Sequence, residues 1–114
     1  MMINMHFHLS EDDFKNILSK YLDFDADNFT AFIDNTNGEN TLNVSSKSSQ
    51  IRMKFNCEKI KEILIDLFND DTTKIDNITV YIINNPTRNR KYVSIDCDMS
   101  KECIKSIVDM ISAD

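Results

Sequence analysis

The sequence predicts an α+β fold, a mostly antiparallel β-sheet with three α-helices in the order β-α-β-β-β-α-β-β-α. Segments that alternate with period two come in consecutive runs, which favours antiparallel pairing over a wound parallel sheet. Three other segments carry apolar side chains at helical spacing, each behind a Ser or Asn able to cap it. The 114 residues, 41% hydrophobic and 28% charged, suffice for one core and show no repeat or linker, so residues 1–114 read as a single domain.

Residues 3–9 alternate Ile3, Met5, Phe7 and Leu9 with Asn4, His6 and His8, the pattern of a half-buried strand. Ser10 offers a helix N-cap. Behind it come Glu11, Asp12 and Asp13, then Phe14, Ile17, Leu18, Tyr21 and Leu22 on one face, which predicts a helix over about 11–22. Residues 29–34 read as a strand and 41–46 as its return, joined by Asn35-Thr36-Asn37-Gly38, because Asn-Gly supplies the positive φ of a tight hairpin. Residues 51–55 alternate again, with Arg52 and Lys54 on the outer side.

Asn56 caps a helix over 57–69, with Ile60, Ile63, Leu64, Leu67 and Phe68 on its stripe. Residues 70–77 read as a polar connection. Residues 78–84 are apolar on both faces, as a central strand would be. A turn over 85–90 leads to a strand over 91–97, and Ser100 caps a last helix whose stripe is Cys103 or Ile104, Ile107, Val108 and Ile111.

Several function classes are excluded. Phosphate-cradling loops need two or more glycines, and this chain has only Gly38, which removes a P-loop and a dinucleotide fingerprint. Three irregularly spaced cysteines, Cys57, Cys97 and Cys103, suit a reducing compartment better than a disulfide framework. The opening residues lack a basic, apolar leader pattern, and no stretch has the length of a membrane span, so the expected compartment is the cytoplasm, without membrane association. No cofactor is expected.

The formal charge is -6, from 19 acidic and 13 basic residues, which argues against nucleic acid as the partner. Residues 1–40 hold eight carboxylates against Lys15 and Lys20, a balance of -6, while residues 41–114 hold eleven acids and eleven bases. The whole net charge therefore belongs to the first third of the chain. Glu11, Asp12 and Asp13 suit a first helical turn, where the helix dipole stabilises each by about 0.3–1 kcal/mol. Asp23, Asp25, Asp27, Asp34 and Glu39 lie beyond that influence and form a candidate patch.

Asp23-Phe24-Asp25-Ala26-Asp27-Asn28 resembles the start of an EF-hand calcium loop, with carboxylates at the first, third and fifth positions. Asn28 stands where that family has its turning glycine, Asp34 where it has a bidentate glutamate, and residues 29–34 read as a strand where it has a helix. A solvated acidic loop fits better than a metal site. His6 and His8 share a strand face and could chelate zinc, but no third ligand accompanies them, so an exposed polar face is expected. Cys103, near a helix start, could be an activated thiol; its place on an apolar stripe points instead to core packing, as for Cys57 and Cys97. Arg88, Arg90 and Lys91 beside Tyr92 read as a charged hairpin tip.

No catalytic constellation emerges, so the expected function is protein binding. Bacterial immunity proteins that neutralise toxin domains are similar in size and charge, and that likeness implies an acidic inhibitor covering a basic toxin such as a nuclease. The contact residues would be Asp23, Asp25, Asp27, Asp34 and Glu39, with Phe24 and Phe29 as apolar anchors. From residue 11 onward the element order also resembles that of type III secretion chaperones, which implies an alternative role in binding an effector segment. A small metal-binding domain is the third reading.

Overall fold

A computed structural model describes residues 1–48 and 50–111. The chain runs β1 (Met2–Leu9), α1 (Glu11–Leu22), a 3-10 turn (Ala26–Asn28), β2 (Phe29–Thr36), β3 (Glu39–Ser46), β4 (Arg52–Phe55), α2 (Cys57–Phe68), β5 (Ile75–Asn85), β6 (Arg90–Ser100) and α3 (Lys101–Ile111). This is the expected order and an α+β fold. The strands form two antiparallel three-stranded sheets, β1-β6-β5 and β2-β3-β4, where the sequence suggested one. The sheets meet where the Asn40 side-chain amide on β3 donates to the Ile82 carbonyl on β5, at 2.9 Å.

Local chemistry sets the helix boundaries. The Ser10 hydroxyl accepts from the Asp13 amide and the Asp13 carboxylate accepts from the Ser10 amide, both at 3.0 Å, a reciprocal capping box. Asn56 accepts from the Lys59 amide at 2.9 Å, and Ser100 from the Cys103 amide at 3.2 Å. Helix α1 stops at Asp23, whose backbone turns left-handed with φ 56°, a conformation open to Asp and Asn at small cost.

Both sheets and all three helices share one core. Phe14, Ile17 and Leu18 of α1, Ile60, Leu64 and Phe68 of α2, and Cys103 and Ile107 of α3 bury against Ile33, Leu42 and Val44 of one sheet and Val93, Ile95, Cys97 and Met99 of the other. Phe14 meets Phe55 of β4 edge to face, with centroids 6.0 Å apart.

Two strand readings change. Residues 78–84 were expected to lie mid-sheet, but β5 is an edge strand and β6 is central. One face of β5 is buried through Val80 and Ile82, while Tyr81 on the other is 57% exposed, so apolar character on both faces does not mean cover on both. Strands β5 and β6 also extend past their expected ends, and the ladder between them is interrupted between Asp76 and Thr79. There Asn77 takes φ 52° and its amide bonds Asp98 at 2.8 Å, which lets Ile75 and Ile78 both point inward and hides the strand from a period-two reading. The first hairpin turns on Asn37 (φ 54°) and Gly38 (φ 81°) alone, so Asn35 and Thr36 belong to β2 and not to the turn. No heavy atom lies within 4 Å of the Cβ position at Gly38; only its backbone angle calls for glycine.

The loop before β5 is tied by Asp70, whose Oδ1 accepts from the backbone amides of Thr72 and Thr73 at 2.7 and 2.8 Å and from both hydroxyls at 3.0 Å. Those backbone bonds, followed by the hydroxyls, hold its carboxyl down at about 2 against the ordinary 3.8.

Two outcomes follow for stability. Phe14→Ala should cost about 3–5 kcal/mol by chemical denaturation, whereas Val108→Ala, at a position 49% exposed, should stay within about 0.5 kcal/mol. Because the folded carboxyl of Asp70 titrates below its unfolded value, its contribution is present above pH 3.8 and lost as pH falls towards about 2. Asp70→Asn should therefore flatten the fall in stability across that window, measured by urea titration at stepped pH.

Candidate protein-binding site

The eight acids of residues 1–40 separate into those the fold uses and those it leaves in solvent. Glu11 Oε2 accepts from the Ile33 amide of β2 at 2.6 Å, Asp13 closes the capping box, and Asp12 lies 3.8 Å from Lys15 Nζ. The first-turn acids thus cap, clamp and pair within the structure.

Asp23, Asp25 and Asp27 project from the loop joining α1 to β2, and this loop is ordered by its own bonds. The Phe24 amide donates to Ser19 O at 3.1 Å, the Asp27 amide to Asp25 Oδ1 at 3.0 Å, and the Asn28 amide to Asp25 O at 3.0 Å. Lys47 N–H donates to Asn28 O at 2.8 Å, and Lys15 Nζ donates to Phe29 O at 3.3 Å. Phe24 and Phe29 pack ring on ring, centroids 4.3 Å apart, and both are half-buried against the core. They anchor the loop to its own domain and leave limited ring surface for a partner.

The exposed aromatic here is Phe32, at 44%, which the sequence reading missed. Strand alternation was the available signal: Phe29, Ala31 and Ile33 face inward, so Thr30, Phe32 and Asp34 face out. Asp34 therefore shares the outer face of β2 with Phe32, roughly 17 Å along the strand from Phe29. Glu39 on β3 pairs with Thr36 and so lies diagonally from Asp34 on the same outer face, where it lines an open groove with Lys54 and Lys59. Among the described residues, the ion pairs within 4 Å join Asp12 to Lys15, Lys59 to Glu62 and His6 to Asp96. Asp23, Asp25, Asp27 and Asp34 enter none of them.

The EF-hand likeness ends where β2 begins, since the chain enters a strand in place of an exit helix and Asp25 is turned back onto the Asp27 amide. Among the described residues no cluster of three or more His, Cys, Asp or Glu side chains is arranged to hold a metal. His6 Nδ1 lies 2.8 Å from Asp96 Oδ1, and His8 stacks on Tyr92 with centroids 4.2 Å apart. Arg90 in turn sits 5.3 Å from the Tyr92 ring centroid. Cys97 and Cys103 are buried, and desolvation pushes their thiols up to about 11 and about 12, the reverse of activation by a helix dipole. On α1, the Tyr21 hydroxyl donates to Asp66 Oδ2 at 2.9 Å, a bond that raises its pKa.

The fold and site together define an α+β domain with a pre-ordered acidic loop. No helix among the described residues is long and apolar enough to cross a membrane. No family model, curated protein or solved structure matches the chain.

Thiol labelling gives a direct check on the buried cysteines. With a disulfide reagent at pH 8, only Cys57 should react in the native protein, and Cys97 and Cys103 should follow after denaturation. Rapid native labelling of Cys103 would contradict the burial described.

Proposed function

We propose that the chain is a binding protein that covers a basic protein surface, most simply as an immunity-type inhibitor of a cationic toxin such as a nuclease. One observation carries the reading: Asp23, Asp25 and Asp27 are exposed on a loop already fixed by hydrogen bonds and by the Phe24–Phe29 contact, and none of them forms an ion pair within 4 Å among the described residues. Their carboxylates keep their reach for an outside cation, and little loop entropy is lost on binding. Phe32 and Asp34 on the outer face of β2, which follows this loop, offer an apolar contact beside a further carboxylate.

Carboxylates so placed would steer association and pair with the lysines and arginines by which a nuclease holds phosphate. This surface has charge and one aromatic side chain, which favours a folded basic partner over the apolar effector segment of a secretion chaperone.

The test is capture on the immobilised full chain from a lysate of the source cell, eluted with a salt gradient. The reading expects a basic protein released as salt rises, because exposed charges beyond about 10 Å are screened at about 0.1 M. Asp23→Lys with Asp25→Lys and Asp27→Lys should slow association roughly tenfold or more, and Phe32→Ala should mainly speed dissociation. Unchanged capture by the triple variant would reject the acidic loop.

A further inference from the structure

Among the described residues the buried polar side chains are Thr41, Thr73, Ser94 and Ser100. Thr41 accepts from Asn43, Thr73 donates to Asp70, and Ser100 accepts from the Lys74 and Cys103 amides. The Ser94 hydroxyl has no hydrogen-bond partner in the described fold, although the residue is only 9% exposed. An unpaired polar group so far out of water is costly, and native folds rarely keep one. No fully buried side-chain oxygen or nitrogen among the described residues lacks a partner, so the Ser94 oxygen still reaches solvent.

Val93 and Ile95 turn into the core, which places Ser94 on the outer face of the β1-β6-β5 sheet, midway along the central strand. The ladders set His8 of β1 opposite it on one side and Tyr81 of β5 on the other. His8 stacks on Tyr92, Arg90 lies over the Tyr92 ring, and His6 holds Asp96 Oδ1 at 2.8 Å, so the β1 side of this spot is fixed by its own contacts. Tyr81 differs: it is 57% exposed and its ring meets no other ring among the described residues. Two strand spacings, roughly 9.5 Å, separate His8 from Tyr81, room for one ring between them above Ser94.

We propose that this spot is a ligand site and that its ligand is an uncharged sugar ring. A pyranose lays its C–H face on the open ring of Tyr81, whose negative π-face attracts it, and turns towards the sheet a hydroxyl that accepts from Ser94. A neighbouring sugar hydroxyl donates to Asp96 Oδ2, which accepts no hydrogen bond among the described residues. Charge sets the class of ligand. Asp76, Asp96 and Asp98 share this face and Arg90 is engaged with Tyr92, so a ring bearing phosphate or carboxylate is repelled where a neutral one is not. The site is independent of the acidic loop.

The experiment is amide NMR of the full chain titrated to about 20 mM with glucose, galactose, mannose and N-acetylglucosamine in turn, and separately with adenosine and inorganic phosphate. At least one sugar is expected to give saturable shifts centred on His8, Tyr81 and Ser94, with a Kd of about 1 mM, as suits a single neutral ring. Tyr81→Ala and Ser94→Ala should each weaken that sugar roughly tenfold. Ser94→Ala should keep the wild-type stability to urea, because the hydroxyl it removes bonds nothing in the fold. Absence of saturable shifts with all the sugars overturns the proposal, as do shifts centred elsewhere or a stronger response to adenosine or phosphate. Full affinity in Tyr81→Ala, or unfolding of Ser94→Ala, overturns it equally.

Discussion

The hydrogen bond from the Ile33 amide to Glu11, at 2.6 Å, fastens α1 to the edge of β2. Its neighbour one turn on, Lys15, holds the Phe29 carbonyl at the start of the same strand. With Phe14, Ile17 and Leu18 driven into the core beside these two residues, the helix is held by apolar burial and by two polar clamps. A bond between a carboxylate and a partly buried amide is stronger than a neutral one, and losing either partner leaves the other desolvated. The course of residues 23–28 follows from this, because both ends of the loop are fixed by the same helix and strand.

The clamp also explains why a segment of net charge -6 folds without strong self-repulsion. Glu11, Asp12 and Asp13 are consumed by a strand amide, a lysine and a helix cap. The remaining carboxylates are exposed to solvent on the loop, on the outer face of β2 and in the groove by Lys54 and Lys59. What survives as a concentrated feature is the Asp23–Asp27 loop, and its rigidity distinguishes it from an ordinary acidic connection.

Edge treatment follows similar physics. Side chains of α1 and β3 satisfy main-chain groups at β2 and β5 that would otherwise invite another strand, and β4 is short and cationic. Strand β1 lies at the sheet margin away from the β2-β3 hairpin, and the long regular ladder it forms with β6 leaves its far side open.

The sequence by itself determined the elements, their order and most of their boundaries, because caps, stripe periodicity and the Asn-Gly turn act over a few residues. Ser10 with Asp13, Asn56 with Lys59, and Asn37-Gly38 are all legible at that range. The acidic loop was legible too, since its three carboxylates are neighbours in the chain. Tertiary structure alone decided that there are two sheets, that β6 and not β5 is central, and that Phe24 packs on Phe29. It also decided that Glu39 and Asp34 share a sheet face with Lys54, beside Lys59 of α2. The physical reason is separation along the chain: which strand lies beside which, and whether an apolar face is covered, depend on contacts between residues tens of positions apart, and no local pattern encodes those.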